Sequence, residues 1–350
     1  MTANNLLNIK RRGFFHFMLI LFLILPVLIF TGCSSKSDKL KLGFLYSSDV
    51  TARYVKESKY FKEKAGQLGA EVLIEHGNNN ESTQYLKALE LFDKDIKVLC
   101  LIAVNTNTAA AIVREAAKRD IKVIAYDRMI KSDNLSLFIC GNNDKMGKDM
   151  VEAVTKLKPK GKYIILSGDR FDRNAVELQK AQLMSLNPKI RNKDIKIIYQ
   201  SFIEDWKPEN AGFELNQFLS LTGEKPDAIL SAYDGMSGAV IKVLEKFGYD
   251  PAEIPITGQD ADLQAVRDII AGKQLMTFYH PLKKLAYSAA EAAVLMAKGE
   301  MPDESKLTYT DNLLIKVPTI SIPSTPVFKE NVDEVLIKSG VYTKEQVYGN

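Results

Sequence analysis

Histidine, cysteine and tryptophan are scarce in this chain, with three, three and one among 350 residues. There is no CxxC pair and no histidine cluster, so no metal site is expected, and no other cofactor is implied. A phosphate loop is also missing, because SGDRFDRN and YDGMSG lack the lysine and the spacing of a P-loop. Neither a GxSxG elbow nor a Cys-His arrangement is present. Asp260 and Asp262 are the nearest approach to an acid–base pair. Two residues apart on a strand-to-helix turn, they need not face each other.

Excess charge is lacking too. The formal net charge is +4, but Lys10, Arg11 and Arg12 lie in the first 32 residues, where there are no acids, so the rest carries only +1. A nearly neutral body gives no electrostatic case for nucleic acid. Hydrophobic content of 46% against 26% charged residues describes a globular chain, long enough for two ordinary domains.

The amino terminus stands apart. After the three basic residues comes the apolar run Phe14–Phe30, broken by His16 and Pro26, then Thr31-Gly32-Cys33 and the polar SSKSDK. That is the layout of a secretory signal, residues 1–32, followed by a tether over 33–39. Cys33 after Gly32 resembles a lipoprotein cleavage site, at which the cysteine is acylated, although Phe30 departs from the usual Leu. An uncleaved membrane anchor is the alternative. Either way the folded part lies outside the cytoplasm. The other cysteines, Cys100 and Cys140, sit in the apolar runs KVLCLIAV and LSLFICG and read as buried thiols, with a disulfide between them as the alternative.

From Leu40 onward, strand and helix alternate. KLGFLYS, EVLIEHG, KVLCLIAV, IKVIAY and LSLFICGN read as five strands. Helices are expected up to Leu68 and over Ser82–Phe92, Asn107–Arg119 and Asp144–Lys156, with Asn107-Thr108 as a cap for the third. Lys158-Pro159-Lys160-Gly161 interrupts the series, and a second begins. Its strands are KYIILSG, IKIIYQS, DAILSAYD, IPITGQD and QLMTFYHP. Its helices are Asn174–Leu186, Pro208–Leu221, Gly238–Phe247, Leu263–Ala271 and Lys283–Lys298. The remainder reads as one strand, a proline-rich connector and a short helix. Two such series predict an α/β protein of two lobes, each a doubly wound parallel sheet.

In open parallel sheets, ligands sit beyond the carboxyl ends of the strands. The residues expected there are Arg53, Tyr126-Asp127-Arg128, Asn174, Trp206, Tyr233-Asp234, Gln259-Asp260 and His280. Two guanidiniums against three carboxylates come close to balance, which suits a ligand without strong charge. Carboxylates accept, Arg donates through a rigid fork and Asn does both, a mixture that can satisfy vicinal hydroxyls. Trp206 offers a flat apolar face to a sugar ring; the alternative is a core aromatic, although the flanking DWKPEN is polar. For the Asp127-Arg128 dipeptide alone, a surface ion pair is the plain alternative.

These segments resemble the D-xylose-binding members of the type I periplasmic sugar-binding proteins across most of residues 40–320. The most specific are IKVIAYDRMI, the GNNNESTQ region, DWKPENA and ITGQDADLQAVRDIIAGKQLMT. The resemblance implies a receptor, not an enzyme, that binds D-xylose or a related pentose through Arg53, Asp127, Arg128, Asn174, Trp206, Asp234 and Asp260. Tyr233 stands where the family has Asn, and His280 where it has Lys; both are expected to line the same cleft. It also implies a three-strand hinge between an N-terminal lobe of residues 40–143 plus 281–318 and a C-terminal lobe of 144–280 plus 319–350. The partner would be an ABC permease or the ectodomain of a membrane histidine kinase. Lactose-repressor-like regulators share the lobes, but here a signal occupies the place of their helix-turn-helix.

Overall fold

The computed structural model describes residues 39–48 and 52–349. The signal segment 1–32 and the lipid-attachment cysteine Cys33 lie outside the described residues. Among the described residues no helix is long and apolar enough to cross a membrane.

Five parallel strands come first: β1 (Lys41–Tyr46), β2 (Glu71–His76), β3 (Val98–Leu101), β4 (Lys122–Tyr126) and β5 (Leu137–Cys140). Helices α1 (Ala52–Gln67), α2 (Glu81–Phe92) and α3 (Ala110–Ala117) connect the first four. The sheet is completed from far along the chain by the antiparallel pair β10 (Thr308–Asp311) and β11 (Lys316–Ser321), giving the order β10-β11-β5-β4-β3-β1-β2. β11 runs parallel to β5 as far as Ser321 paired with Cys140.

Successive strand residues face opposite sides of a sheet, and here both sides are covered. Phe44, Cys100, Ile124 and Tyr126 pack on one side with Tyr54 and Phe61 of α1 and with Leu285 and Ala289 of α9 (Leu282–Ala297). Leu45, Leu99, Val123 and Ala125 pack on the other, against Leu91 of α2 and Val113 of α3. This is why the strands read as unbroken apolar runs. Cys100 and Cys140 are free thiols on strands separated by β4.

The second core is built on β6 (Gly161–Ser167), flanked by β7 (Ile195–Phe202) and β8 (Ala228–Ser231). Around it run α4 (Asn143–Leu157), α5 (Arg173–Arg191), α6 (Pro208–Thr222), α7 (Asp234–Lys246) and α8 (Leu263–Ile270). The strand β9 (Met276–Tyr279) pairs with β12 (Thr325–Phe328). The chain therefore passes between the two sheet systems three times: after β5, after β9, and over residues 322–324 between β11 and β12.

Four expectations need correction. IPITGQD is not a ladder strand: only Ile256 bridges Ile229, and Leu275 N–H donates to Ile256 O. Beyond Ile256 single backbone bonds persist, such as Thr257 N–H to Ile229 O, and side chains crowd in: Thr257 Oγ1 donates to Ser231 O, and a Cβ on Gly258 would fall 2.0 Å from Asp234 Oδ1. Asn107-Thr108 does not cap the third helix; Ala109 stands there without a side-chain cap, and Asn105 Oδ1 instead closes a turn on Asn107 N. The carboxyl-terminal helix is broken into a 3-10 turn, a π turn (Asp333–Ile337) and α10 (Lys344–Tyr348). The strand β10 escaped the sequence reading because TYTD is too polar to show apolar alternation; it lies at a sheet edge.

Packing sets one sharp expectation. Gly147 of α4 faces α5 so closely that an added Cβ would lie 2.7 Å from Ala181 Cβ, whereas Gly66 of α1 has open space. Gly147→Ala should cost about 1–3 kcal/mol through overpacking. Gly66→Ala should gain up to about 1 kcal/mol by restricting the unfolded chain. Urea denaturation of the two variants checks this, and equal midpoints would contradict the assigned helix contact.

Candidate functional site

Arg53 opens α1, and its guanidinium is surrounded by acids. Glu57, one helical turn on, accepts from Nε at 3.3 Å and from Nη2 at 3.2 Å. Asp127 Oδ1 accepts from Nη2 at 3.3 Å, and Asp260 Oδ1 lies 3.6 Å from Nη1. Glu57 is wholly buried and also accepts from the Tyr126 hydroxyl at 2.9 Å. Burial pushes the Glu57 carboxyl up, against the pull of Arg53. Tyr54 O–H donates to Asp127 Oδ2 at 2.9 Å, and its ring lies beneath both Arg53 and Arg128, 5.4 and 6.0 Å from their guanidinium carbons.

Asp127 ends β4 with a φ of 64°, in the left-handed region that Asp tolerates better than most residues. This turn sends Arg128 sideways: Nη1 donates to Ala103 O at 3.0 Å and to Val104 O at 3.3 Å, and Nε lies 3.1 Å from Asp172 Oδ2. Asp172 is the N-cap of α5, accepting from Asn174 N. Asn174 Nδ2 in turn donates to Asp127 O at 3.0 Å, while Asn143 Nδ2, at the first crossover, donates to Asn174 Oδ1 at 2.9 Å and so sets the orientation of that amide. Trp206 ends a 3-10 turn with a φ of 58° and lies against Gly168, where an added Cβ would meet the ring at 2.2 Å. Only glycine leaves room for the indole there.

The third group lies deeper. Asp234 is buried and takes three donors: Gln274 Nε2 at 2.9 Å, Thr277 Oγ1 at 2.8 Å and Asp262 N at 2.9 Å. Burial and the Asp262 charge nevertheless push its carboxyl up. Tyr233 lies among Asp262, Asp260 and Asp234, and burial first, then these carboxylates, push its hydroxyl up. His280 Nε2 lies 3.2 Å from Asp260 Oδ1. Burial works against ionisation of Asp260, but the nearby His280 ring and the charge of Arg53 outweigh it and hold the carboxyl below its ordinary value. The backbone of Asp260 carries a φ of 94°, outside the common left-handed well, and such strain gathers where side chains are being aimed.

All nine sequence-derived residues thus lie in or beside one junction between the sheet systems. Arg53, Asp127, Asp260 and His280 form one chain of close charge contacts across it; Arg128 and Asn174 reach across through Asp172 and Asp127. Asp234 differs, since its acceptors are already engaged within its own lobe. Sequence reasoning missed Tyr54, Glu57, Asn143, Asp172, Gln274 and Thr277. Glu57 was signalled by its spacing of four from Arg53 on a helix; the others had no local signature.

The sequence profile of the periplasmic binding protein domain matches residues 43–301. The chain is 33% identical over 315 residues to the D-xylose-binding periplasmic protein of Haemophilus influenzae, covering 90% of this chain and 94% of that one. It is 31% identical over 328 residues to the D-xylose-binding periplasmic protein of Escherichia coli, covering 94% and 98%. Among solved structures, a carbohydrate transporter solute binding protein from Chloroflexus aurantiacus, in complex with D-glucose, superposes with a TM-score of 0.80 at 22% identity, over 88% of this chain and 98% of that one.

Asp262 carries a pH dependence. Burial, then the Asp260 charge, pushes its carboxyl up to about 6, with the Tyr233 hydroxyl opposing. The folded state therefore holds this proton more tightly than the unfolded chain, whose Asp titrates near about 4. The stabilisation from protonation is complete below about pH 4 and is lost as the pH rises through about 6. Glu57, Asp172 and Asp234 are also shifted upward and persist in the variant, so Asp262→Asn should reduce this slope without abolishing it. Urea midpoints measured across that window test it; an identical slope in both proteins would refute the assignment.

Proposed function

The chain belongs to the periplasmic binding protein family and is an extracytoplasmic sugar receptor, not an enzyme; from that premise we propose that its ligand is a neutral pentose, D-xylose or a close relative. One observation carries the reading: both guanidiniums of the site are already matched by acids and carbonyls. Arg53 is held by Glu57, Asp127 and Asp260, and Arg128 by Asp172 and two backbone oxygens. Neither guanidinium is left over for an anionic ligand, and a sugar hydroxyl, which donates and accepts, fits between such groups. The names of the curated relatives support xylose as the first candidate. Arg53, Asp127, Arg128, Asn174, Trp206, Tyr233, Asp260 and His280 are the proposed contacts, with Asp234 shaping the floor of the site.

The N-terminal lobe is taken to end near residue 143 and to be completed after residue 281, and the three passages between lobes act as the hinge. Isothermal titration with a panel of monosaccharides tests the reading. D-xylose should bind without turnover, and Arg128→Ala should weaken it by roughly 1.5–3 kcal/mol, the worth of a hydrogen bond to a charged group. Heat absent for every pentose, or sugar consumed during the titration, would overturn the proposal.

Cys33 is the proposed lipid attachment, and the proposed partner of the closed form is a membrane histidine kinase ectodomain. The preference for sensing over transport rests on the two expected departures within the site, Tyr233 and His280; the His280 ring is also hydrogen-bonded to Ser324 on the third crossover. Cys33→Ser should release the protein from membranes, and a membrane pull-down with xylose should recover the kinase. Recovery of permease subunits without a kinase would replace sensing by transport.

A further inference from the structure

The carboxyl-terminal tail has no part in the site described so far, yet it reaches the turn that carries Asp260. Val332, Leu336 and Val347 of the tail, with Val341 and Tyr342, pack against Ala261 and against Val266 and Ile269 of α8. Arg267 of α8 also holds the end of the tail, donating to Gln346 O from Nε at 2.9 Å and from Nη2 at 2.7 Å. Between these anchors the Tyr342 hydroxyl lies 2.9 Å from Ala261 O.

Ala261 sits in a strained place. Its φ is 54° and that of Asp260 is 94°, and alanine has no polar side chain to offset the crowding of a left-handed backbone. Three hydrogen bonds hold the two peptides beside it. Thr277 Oγ1 accepts from Ala261 N at 3.2 Å, Asp234 Oδ2 accepts from Asp262 N at 2.9 Å, and the Tyr342 hydroxyl donates to Ala261 O. The direction of the last bond is fixed, because a carbonyl oxygen only accepts. Burial, then the charges of Asp262 and Asp234, push the Tyr342 hydroxyl up to about 12, so its proton is in place at neutral pH. The Ala261–Asp262 peptide is therefore gripped at both ends, its N–H from within the site and its C=O from the tail. Ala261 is 1% exposed, so water has little access with which to replace the hydroxyl. Held in this way, the turn brings the Asp260 carboxylate to 3.6 Å from Arg53 Nη1 and 3.2 Å from His280 Nε2.

We propose that Tyr342 is a positioning residue for the sugar site: from the carboxyl-terminal tail its hydroxyl fixes the strained Asp260-Ala261-Asp262 turn, which presents Asp260 to Arg53 across the cleft. It is not itself a ligand contact. This inference rests on the receptor reading above for its affinity effect, but its effect on the backbone does not depend on any sugar.

The test uses the full chain, with D-xylose titration and amide hydrogen exchange at a temperature where parent and variant are both folded. Tyr342→Phe keeps the ring in its apolar cluster and removes one oxygen. It should weaken D-xylose binding about fivefold, as expected for loss of one ordinary hydrogen bond. The amides of Ala261 and Asp262 should exchange faster, while those of β6, in the core of the same lobe, should not change. A purely structural role would speed exchange in both places. Unchanged affinity, unchanged exchange at Ala261 and Asp262, or faster exchange that extends into β6 would each overturn the proposal. If the parent binds no D-xylose, the pentose reading falls, and the exchange of parent and variant still decides whether Tyr342 holds the turn.

Discussion

The Arg53 guanidinium is 85% withdrawn from solvent, and a charge so placed must be matched by others. Much of the site follows from that constraint. Glu57 supplies the match from one turn along the same helix, Asp127 from the end of β4, and Asp260 from the opposite lobe. Remove any one and a buried charge is left short of a partner. At this point the lobes meet through groups that need one another. This suits a cleft in which ligand hydroxyls take over some of the same bonds.

Holding those groups requires backbone that ordinary strands and helices do not provide. Asp127, Trp206 and Asp260, all at the junction, have positive φ. For a bulky residue such as Trp this is costly, and it persists only because the surroundings over-determine it. The indole lies flat on Gly168, and the Asp260 carboxylate lies between Arg53 and His280. The sheets supply rigid anchors on either side, and these three residues carry the strained backbone that aims the site.

His280 links this junction to the hinge. Its two nitrogens face a carboxylate in the cleft and a hydroxyl on the crossover, so the geometry of the three passages and that of the site are read by one ring. A lysine at this position would offer donors only, and could not accept from Ser324.

The alternation of apolar strand and amphipathic helix was legible along nearly the whole chain, because sheets covered on both faces leave continuous runs such as VLCL and FLY that need no long-range information. The nine candidate positions were chosen from strand ends, which in such sheets fall at predictable places. What the sequence could not disclose is which groups satisfy which. Asp127 looks like any loop acid, Asp172 like any cap and Asn174 like any amide at a helix start. Each acquires its role only when segments 74, 44 or 47 positions apart are brought within hydrogen-bond reach, as in Arg53 with Asp127, Arg128 with Asp172 and Asn174 with Asp127. The edge strand β10 and the interrupted strand at Ile256 were settled the same way, by a neighbour's edge and by the side chains of Thr257 and Asp234. Local pattern determined the elements and their order, because apolar periodicity is a property of adjacent residues. Partnership was decided by the tertiary structure, because the match of a buried charge or hydroxyl is a property of space.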